Sequence, residues 1–489
     1  MVSAEILAVL AVYAVVLVSI GIWGGRESGS VAGYYVAGKK LPSWVIAFSS
    51  NATGESAWLL LGLTGMGYMV GIHALWVVLG EVLGVALVWV LVGLRFKEYT
   101  DRYDSITVAD YLESRFRDEQ RILRLLSVVI IFSMVTAYAA AQLTASGKAL
   151  SSFLGMSYEM GVVIGIALIL FYTTVGGFTA VAYNDLLHGI LMFLGLLSLP
   201  IVGIVAAGGW SPMLAELGAI DPDLLKPMGE YGVSVTGVVS AVSFVGIGVA
   251  FLGAPQLLTR FISARDRSEI VDGSMMAVAV IIVFDLGAVF AGMAGRVLFP
   301  GLADAETILP TMSAELMPAI CTGVFLVIVL AAILSTVDSL LILASSAVVR
   351  DLVQKMFHPN LSERHFSLLG RLTTVVIGAI ALALALQEMR VIFWFVLFAW
   401  SGLAVAFAPV VLCSLFWSGT TKAGAVAGMV SGFVTTVLWV LFFKEHFYSL
   451  YEMLPGFAVG FVVTVGVSLV TRPPEGAEAE LESVRRAVE

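Results

Sequence analysis

Hydroxyl and acidic side chains cluster at helical spacing within one strongly apolar stretch of the chain. Residues three and four apart are neighbours on a helix, so Ala332, Ser335 and Asp338 share a face. Ser339 lies on the same face and Thr336 lies at its edge. A hard cation takes about six oxygens, and two hydroxyls with the Ala332 carbonyl would supply three. The alternative is that the hydroxyls bond back to their own helix, but so many polar residues on one face favour a cation site.

A second polar patch, residues 49–56, interrupts another apolar run much earlier in the chain. Small polar residues and glycine weaken a helix, and a broken membrane helix frees carbonyls that coordinate cations. The carbonyls of Ala52 and Glu55 would complete the oxygen shell. Residues 246–255 contain several glycines and a proline and predict a second helix break. It lies five apolar runs after the first break.

The composition predicts that these residues lie inside a membrane. Of 489 residues, 60% are hydrophobic and only 12% are charged, and the mean hydropathy is +1.00. Soluble domains carry about 25% charged residues, and a chain of this length cannot hide so much apolar surface from water. A soluble multidomain enzyme, a disordered chain and a nucleic-acid-binding protein are therefore excluded. The two cysteines imply no disulfide framework, and no catalytic motif supports an enzyme.

Apolar runs of about 20 residues predict an all-α polytopic membrane protein with about 13 transmembrane helices. Two breaks spaced by five helices predict two five-helix repeats, spans 2–6 and 7–11. Alternating the loops places about four fifths of the 26 Lys and Arg residues on one side, which predicts an external N-terminus and a cytoplasmic C-terminus. We expect one transmembrane transporter domain, residues 1–471, that contains an N-terminal helix and loop (1–42), a first repeat (43–208), a second repeat (233–416) and two C-terminal helices (421–471), followed by a charged cytoplasmic tail (472–489).

Acidic side chains at mid-membrane are costly and usually serve a site or pair with a neighbour. Five such residues are predicted here: Glu55, Glu81, Asp185, Asp285 and Asp338. No lysine or arginine is expected at comparable depth, so a bound Na⁺ or proton would compensate their charge. Asp185 could join Asp338 and Ser339 in a second cation site or an ion exit route, or it could cap a helix at the membrane surface. For Glu81 and Asp285 the sequence identifies no partner, and a structural role stays open.

Several motifs in this order resemble the sodium:solute symporter family, and most closely its sodium/proline branch. The resemblance runs from about Tyr34 to Gly432 and covers most of the chain. It rests on the Ser335–Thr336 pair and on four segments, residues 121–124, 155–159, 172–180 and 422–428. The family implies a LeuT-type inverted repeat and inward solute transport driven by the Na⁺ gradient.

The resemblance also implies which residues bind the ions. The principal Na⁺ site would comprise the carbonyls of Ala52, Glu55 and Ala332 with the hydroxyls of Ser335 and Thr336, the same residues that polarity and spacing indicate. In relatives with a second Na⁺, the matching positions in this chain are Asp185, Ser335, Asp338 and Ser339.

The solute is less well defined, because this chain departs from the proline branch at two places. That branch has an aspartate at the position of Gly54, and an aromatic pair where this chain has Ile247 and Phe251. Tyr138 does match the branch. The predicted solute contacts are Ser56, Trp58, Tyr138, Gln142 and Phe251.

The sequence therefore predicts a secondary active transporter in the plasma (inner) membrane. It would carry a small amino-acid-like solute, with proline as the leading prediction, together with Na⁺. The alternatives are Na⁺ or H⁺ coupling to a monocarboxylate, a vitamin or a cationic compound, and, from other classes, a membrane sensor or an intramembrane enzyme. Besides Na⁺ as coupling ion we expect no cofactor, no transition metal, no nucleic acid and no obligatory protein partner.

Overall fold

The computed structural model describes residues 3–358, 360–387 and 392–488, and in this part of the chain it contains helices but no β-strand. One isolated bridge joins Leu41 to Ala264. The α-helices are α1 (Ala4–Gly24), α2 (Val31–Val36), α3 (Ser43–Ala57), α4 (Thr64–Val70), α5 (Leu75–Leu87), α6 (Leu94–Arg102), α7 (Val108–Phe116), α8 (Ile122–Leu154), α9 (Tyr158–Ala206), α10 (Trp210–Ile220), α11 (Val235–Gly246), α12 (Pro255–Ser263), α13 (Arg267–Leu298), α14 (Ile308–Leu316), α15 (Ala319–Ser346), α16 (Glu363–Ala385), α17 (Ile392–Phe416), α18 (Lys422–Leu438), α19 (Met453–Val470) and α20 (Ala477–Val488). Short 3₁₀ and π-helical segments link or extend them: Ala37–Lys39, Trp58–Leu63, Gly71–Ala74, Val88–Gly93, Pro222–Leu225, Gly229–Tyr231, Ile247–Leu252, Ala305–Thr307, Ala347–Phe357, Trp439–Phe443 and Lys444–Phe447.

Eleven segments of the described chain are long and apolar enough to cross a membrane. Two of them are long enough for two crossings: Ser43–Arg102 has 60 residues and Tyr158–Ala206 has 49. At 1.5 Å per residue they measure about 90 and about 74 Å, against about 30 Å for the hydrocarbon core. Each contains a glycine with positive φ, Gly71 at 57° and Gly177 at 59°. Counting two crossings for each long segment gives the thirteen spans that the hydropathy pattern predicts.

The burial of the spans separates a core from an outer layer. The segments that contain α15 and α17 are 83% and 89% buried over their most apolar windows, whereas those that contain α1, α18 and α19 are 22–28% buried. α15 packs against α3, α8 and α9. The outer helices expose large apolar side chains such as Val12 and Val462, as helices that face lipid do. The predicted cation-binding residues of α15 therefore lie at the centre of the bundle.

Both predicted helix breaks are confirmed. In α3, Ser56 has φ 56° and ψ −169°, a conformation rare for a residue with a side chain, and a π-helical segment follows. In the second repeat, α11 ends at Gly246, the 3₁₀ segment Ile247–Leu252 follows, and α12 begins at Pro255. Proline at the first turn lacks only an N–H that would be unsatisfied anyway, so it favours the new start.

The first and second repeats approach each other closely through backbone at several glycines, and three of these lie together on α5 and the broken segment of the second repeat. Gly80 and Gly84 on α5 lie against Val245 and Gly248. A Cβ on Gly84 would overlap the Gly248 carbonyl oxygen, and a Cβ on Gly248 would overlap the Gly80 carbonyl oxygen. Small residues permit such close approach of membrane helices.

A buried ion network connects the ends of three helical segments, and we call it the Arg124 network. Arg124 at the start of α8 donates to Asp351 Oδ1 at 2.5 Å, to Asp110 Oδ1 at 2.8 Å and to Glu113 of α7. Arg350 Nε lies 3.1 Å from Asp110 Oδ2. Burial acts to raise the pKa of Asp110, but the guanidinium groups of Arg350 and Arg124 outweigh it and hold that pKa below its usual value.

The charged C-terminal segment forms a docked helix. Tyr103 donates to Glu480 Oε1 at 2.6 Å, and Arg102 Nη2 donates to Ser483 Oγ at 3.1 Å. Burial and the neighbouring Glu480 carboxylate raise the pKa of Tyr103. Arg267, at the start of α13, donates to the carbonyl of Ala487. The tail thus ties the end of α6 to the start of α13.

Candidate functional site

The two helix breaks face each other inside the bundle. A Cβ added to Gly54 would lie 2.9 Å from Cε1 of Phe251, which belongs to the broken segment of the second repeat. Phe251 also packs edge-on against Trp400, with ring centroids 5.5 Å apart. An aspartate at position 54, as in the proline branch, therefore does not fit unless Phe251 moves. The departures at Gly54 and Phe251 are thus two parts of one contact.

Four of the five residues predicted to bind Na⁺ come together between α3 and α15. Ser335 Oγ donates to the Ala52 carbonyl at 2.9 Å and to the Ala332 carbonyl at 3.1 Å. Thr336 Oγ1 donates to the carbonyls of Thr53 and Ala332, both at 3.2 Å. The hydroxyls of two residues and the carbonyls of three therefore converge, and these five residues are all buried, namely Ala52, Thr53, Ala332, Ser335 and Thr336.

Glu55 differs from the rest of that set. Its carbonyl accepts the backbone N–H of Trp58, across the break at Ser56. The Thr53 carbonyl, which the sequence prediction did not include, contacts the Thr336 hydroxyl instead. Thr53 lies in the same polar patch, so the patch identified the region but not each carbonyl.

The expectation that no arginine lies near the buried acids is wrong for Asp185. Arg260 is 1% exposed, and its Nη2 lies 2.8 Å from Asp185 Oδ2. Nη2 also lies 2.7 Å from Thr53 Oγ1 and 2.5 Å from Ser339 Oγ. Arg260 follows Pro255 on α12, which starts inside the bundle after the break, so its side chain reaches the core instead of a loop. The guanidinium thus stands among oxygens predicted for a second cation.

Asp338 is satisfied by neutral donors. Tyr172 OH donates to its Oδ2 at 2.7 Å, and Ser339 Oγ donates to its Oδ1 at 3.1 Å. Tyr172 begins the segment 172–180 that carries the family resemblance. Asp338 and Asp185 are joined through Ser339, because Arg260 contacts both Ser339 and Asp185.

We expect Arg260→Met and Asp185→Asn each to destabilise the protein strongly, because each leaves a buried partner uncompensated. Breaking a buried ion pair costs about 3–5 kcal/mol, whereas removing both charges is often nearly neutral. The double variant should therefore unfold at a higher temperature than Arg260→Met alone. Thermal unfolding of the purified protein in detergent measures all four forms. Additive losses would show that the two side chains do not stabilise each other.

The predicted solute residues surround the break in α3. Gln142 Oε1 accepts the Ala57 N–H at 3.1 Å, and Ser56 Oγ accepts the Trp58 N–H at 3.1 Å. The Tyr138 hydroxyl bonds to the Ser56 side chain. Gln142 Nε2 is buried and has no hydrogen-bond partner among the described residues. A solute with an acceptor group would satisfy that amide.

A cavity of about 820 Å³ opens beside the break of the second repeat, with Ser243 and Ile247 in its wall. Its charged lining is mainly acidic, with Asp221, Asp223, Glu230 and Glu306 against Lys444. Burial raises the pKa of Glu306, and the nearby Asp304 adds to this. Burial also raises the pKa of Tyr451 at the cavity wall, and the charges of Glu452 and Glu81 act in the same direction. An acidic cavity of this kind raises the local concentration of cations.

The sequence of the chain matches a known protein family. The family model described as the sodium:solute symporter family matches residues 34–432. The chain belongs to the sodium:solute symporter family. This symporter is 35% identical over 463 residues to the high-affinity proline transporter PutP of Bacillus subtilis (strain 168), covering 94% of this chain and 96% of the relative. It is 31% identical over 494 residues to a sodium/proline symporter of Staphylococcus aureus (strain JH9), covering 98% and 95%.

Solved structures show the same fold. A Na⁺-coupled sialic acid symporter in a substrate-bound, outward-open state superposes on this symporter with a TM-score of 0.81 at 18% identity, covering 96% of this chain and 99% of the other. A transporter of the nucleobase-cation-symport-1 family in a closed conformation gives a TM-score of 0.56 at 12% identity, covering 94% and 99%.

These comparisons confirm the family, the all-α LeuT-type fold and the class of function inferred from the sequence. The symporter is a multi-pass membrane protein that couples solute movement to Na⁺, and it belongs among transporters, not enzymes. The individual ion and solute residues stay predictions.

Proposed function

We propose that this symporter moves a small amino acid, with proline foremost, into the cell together with Na⁺ bound by Ala52, Glu55, Ala332, Ser335 and Thr336. The observation that carries the proposal is the contact of the Ser335 and Thr336 hydroxyls with carbonyls of the broken helix α3. Hydroxyl and carbonyl oxygens are the donors that hard cations take. An ion here would connect the first repeat to the second.

The same break supplies the solute site. The Gln142 amide nitrogen is buried without a partner among the described residues, and Tyr138 and Ser56 lie beside it. An amino acid carboxylate would accept from this amide, and the free ends of a broken helix also favour anions. The apolar ring of proline would then pack against Phe251 and Trp58, which are both buried.

A different solute is the second candidate, and the Gly54–Phe251 contact favours it. The aspartate of the proline branch is missing, and the acidic Glu55 follows directly. A cationic solute would be attracted by that acid, whereas a monocarboxylate or a vitamin would rely on Gln142. If H⁺ were the coupling ion instead of Na⁺, the buried acidic side chains near the break in α3 would carry the proton.

We further propose that Asp185, Asp338 and Ser339 mark the route by which the ion leaves. A cation there needs Arg260 to withdraw, since its guanidinium contacts both Asp185 and Ser339. The proposed setting is the plasma membrane, with the N-terminus outside, the C-terminus in the cytoplasm and repeats at residues 43–208 and 233–416. We propose that transport requires no other protein.

Alternating access follows from the position of the ion between the repeats. A ligand shifts a conformational equilibrium only by its differential affinity for the two states. Oxygens contributed by α3 and α15 are close together in one state and separate when the repeats move apart. Na⁺ therefore stabilises the state that binds the solute and prepares the break for it.

Uptake of radiolabelled proline into proteoliposomes tests the proposed function. With an inward Na⁺ gradient we expect accumulation above the equilibrium level, and with a matched H⁺ gradient in Na⁺-free buffer we expect none. Dissipating the Na⁺ gradient with an ionophore should abolish accumulation.

The outcomes separate the two candidates. Uptake driven by Na⁺ and competed by unlabelled proline supports the proline proposal. Binding of Na⁺ without proline uptake contradicts proline as the solute and directs a competition screen to cationic amines and monocarboxylates. Accumulation driven only by H⁺ would contradict the coupling ion.

A further inference from the structure

Three carboxylates from three different spans meet in the interior, and we call them the carboxylate triad. Glu55 lies on α3, Glu81 on α5 and Asp285 on α13. One oxygen from each lies within 4.8 Å of the others. The residues are 1%, 3% and 0% exposed. The triad is therefore an assembled group, distinct from the oxygens of Ser335 and Thr336.

The triad differs from the other deep acids because five of its six carboxylate oxygens have no hydrogen-bond partner among the described residues. Both oxygens of Glu55, both of Asp285 and Oε2 of Glu81 have no hydrogen-bond partner among the described residues. None of the ion pairs seen in the described chain includes a triad residue. Asp185 Oδ2, by contrast, accepts from Arg260 and Asp338 Oδ2 accepts from Tyr172, although Asp185 Oδ1 also has no partner among the described residues. Buried polar groups are normally partnered, so the orphaned acceptors point to a ligand between them.

The triad needs protons or a cation to compensate its negative charge. Carboxylates a few ångströms apart repel each other, and a buried charge without a partner is strongly unfavourable. Protons alone would neutralise the carboxyl groups but would leave several acceptor oxygens without donors. A metal cation satisfies oxygens from all three groups at once. A proton shared between two of the carboxyl groups would reduce the remaining negative charge.

The spacing is short enough for one ion to contact all three carboxylates. Their oxygens lie within 4.8 Å of one another, and two oxygens on opposite sides of an ion with bonds of about 2.3–2.6 Å, as for Ca²⁺, are about 4.6–5.2 Å apart. Mg²⁺ has shorter bonds of about 2.0–2.1 Å and keeps several waters, for which a fully buried position is unfavourable. A coupling ion must also leave in every cycle, which favours a monovalent ion over a divalent one held by three carboxylates.

We propose that Glu55, Glu81 and Asp285 bind an additional Na⁺, separate from the ion at Ser335 and Thr336. The inference rests on the proposed function in one respect, namely that Na⁺ is the coupling ion. The broken helix α3 would then contribute to both sites, through the carbonyls of Ala52 and Glu55 at one and the Glu55 carboxylate at the other. Two ions would tie α3 to α5 and α13 on one side and to α15 on the other.

The test is the number of radioactive Na⁺ ions bound per chain of the detergent-purified, full-length protein, measured at equilibrium. Glu55→Gln, Glu81→Gln and Asp285→Asn should each lose one bound Na⁺ relative to wild type. Ser335→Ala/Thr336→Ala should lose a different one, so that its combination with Glu81→Gln loses two. Asp272→Asn, which removes an exposed acid from the same helix α13, is the matched control and should bind as many ions as wild type.

Three independent single variants keep the test decisive if one of them fails to fold, because each is predicted to lose the same ion. Wild-type Na⁺ binding in all well-folded triad variants would overturn the proposal and leave protons as the occupants. Displacement of one Na⁺ by micromolar Ca²⁺ in wild type but not in the triad variants would overturn it in favour of a divalent ion. Failure of proline uptake while the triad still binds Na⁺ would contradict only the proposed solute.

Discussion

Replacing Ser335 and Thr336 together by alanine is expected to lower the apparent Na⁺ affinity of transport by about 100-fold or more. The loss of one hydroxyl–ion contact should cost about as much free energy as a hydrogen bond to a charged group, about 1.5–3 kcal/mol. Every 1.4 kcal/mol of binding free energy changes the affinity about tenfold. Solute recognition should change much less, because Tyr138 and Gln142 remain. Solute uptake measured against a Na⁺ titration gives both quantities.

Ser346→Ala is the matched control for this double variant. Ser346 is buried on the same helix, but its hydroxyl donates only to the Leu343 carbonyl one turn earlier. Its removal should leave the Na⁺ titration unchanged. A wild-type Na⁺ response in the double variant would show that these hydroxyls do not bind the coupling ion.

Arg124→Met is expected to cause the largest loss of stability. The substitution leaves Asp110 and Asp351 buried without the guanidinium that bridges them, and breaking a buried ion pair costs about 3–5 kcal/mol. Arg486→Met is the control, because the Arg486–Glu482 pair is exposed and exposed pairs contribute about 0–1 kcal/mol. Thermal unfolding in detergent compares the two. Equal unfolding temperatures would show that the Arg124 network is not stabilising.

Acid should reproduce part of this effect. The pKa of Asp110 is lower in the folded protein than its usual value, because the two arginines outweigh burial. A lowered folded-state pKa adds stability that is complete above the unfolded pKa and is lost as the pH falls through the folded one. Wild type should therefore lose stability at pH values below the usual range of an aspartate. Arg124→Met should lose less stability than wild type over the same fall in pH.

The class of protein and the region of the candidate cation site could be predicted because both depend on local patterns. The length of apolar runs predicts the membrane spans. The positions of Ser335 and Thr336 in the sequence place their hydroxyls near each other on one helix. The glycines and proline of residues 246–255 predicted the second break, since these residue types weaken helices wherever they lie. Family motifs then supplied the pairing of α3 with α15 that periodicity alone does not provide.

The partners of the buried acids could not be predicted, because they depend on how separate spans pack. Arg260 belongs to a basic, loop-like stretch by composition, and only the start of α12 inside the bundle carries it to Asp185. Glu55, Glu81 and Asp285 lie on three spans that are far apart in sequence. Their meeting depends on how α3, α5 and α13 pack around the break at Ser56, and the polar patch that predicted the break does not show which spans meet there.

The glycine contact between α5 and the segment Ile247–Leu252 has a consequence for motion. Gly80, Gly84 and Gly248 place main chain directly on main chain, so the joint has no rotamers to rearrange and no side-chain entropy to lose. Sliding there exchanges only weak Cα–H and carbonyl contacts. We therefore expect the two repeats to slide past each other at this contact. Gly248→Ala, whose Cβ would lie 1.8 Å from the Gly80 carbonyl oxygen, is therefore expected to block this movement and to slow solute uptake.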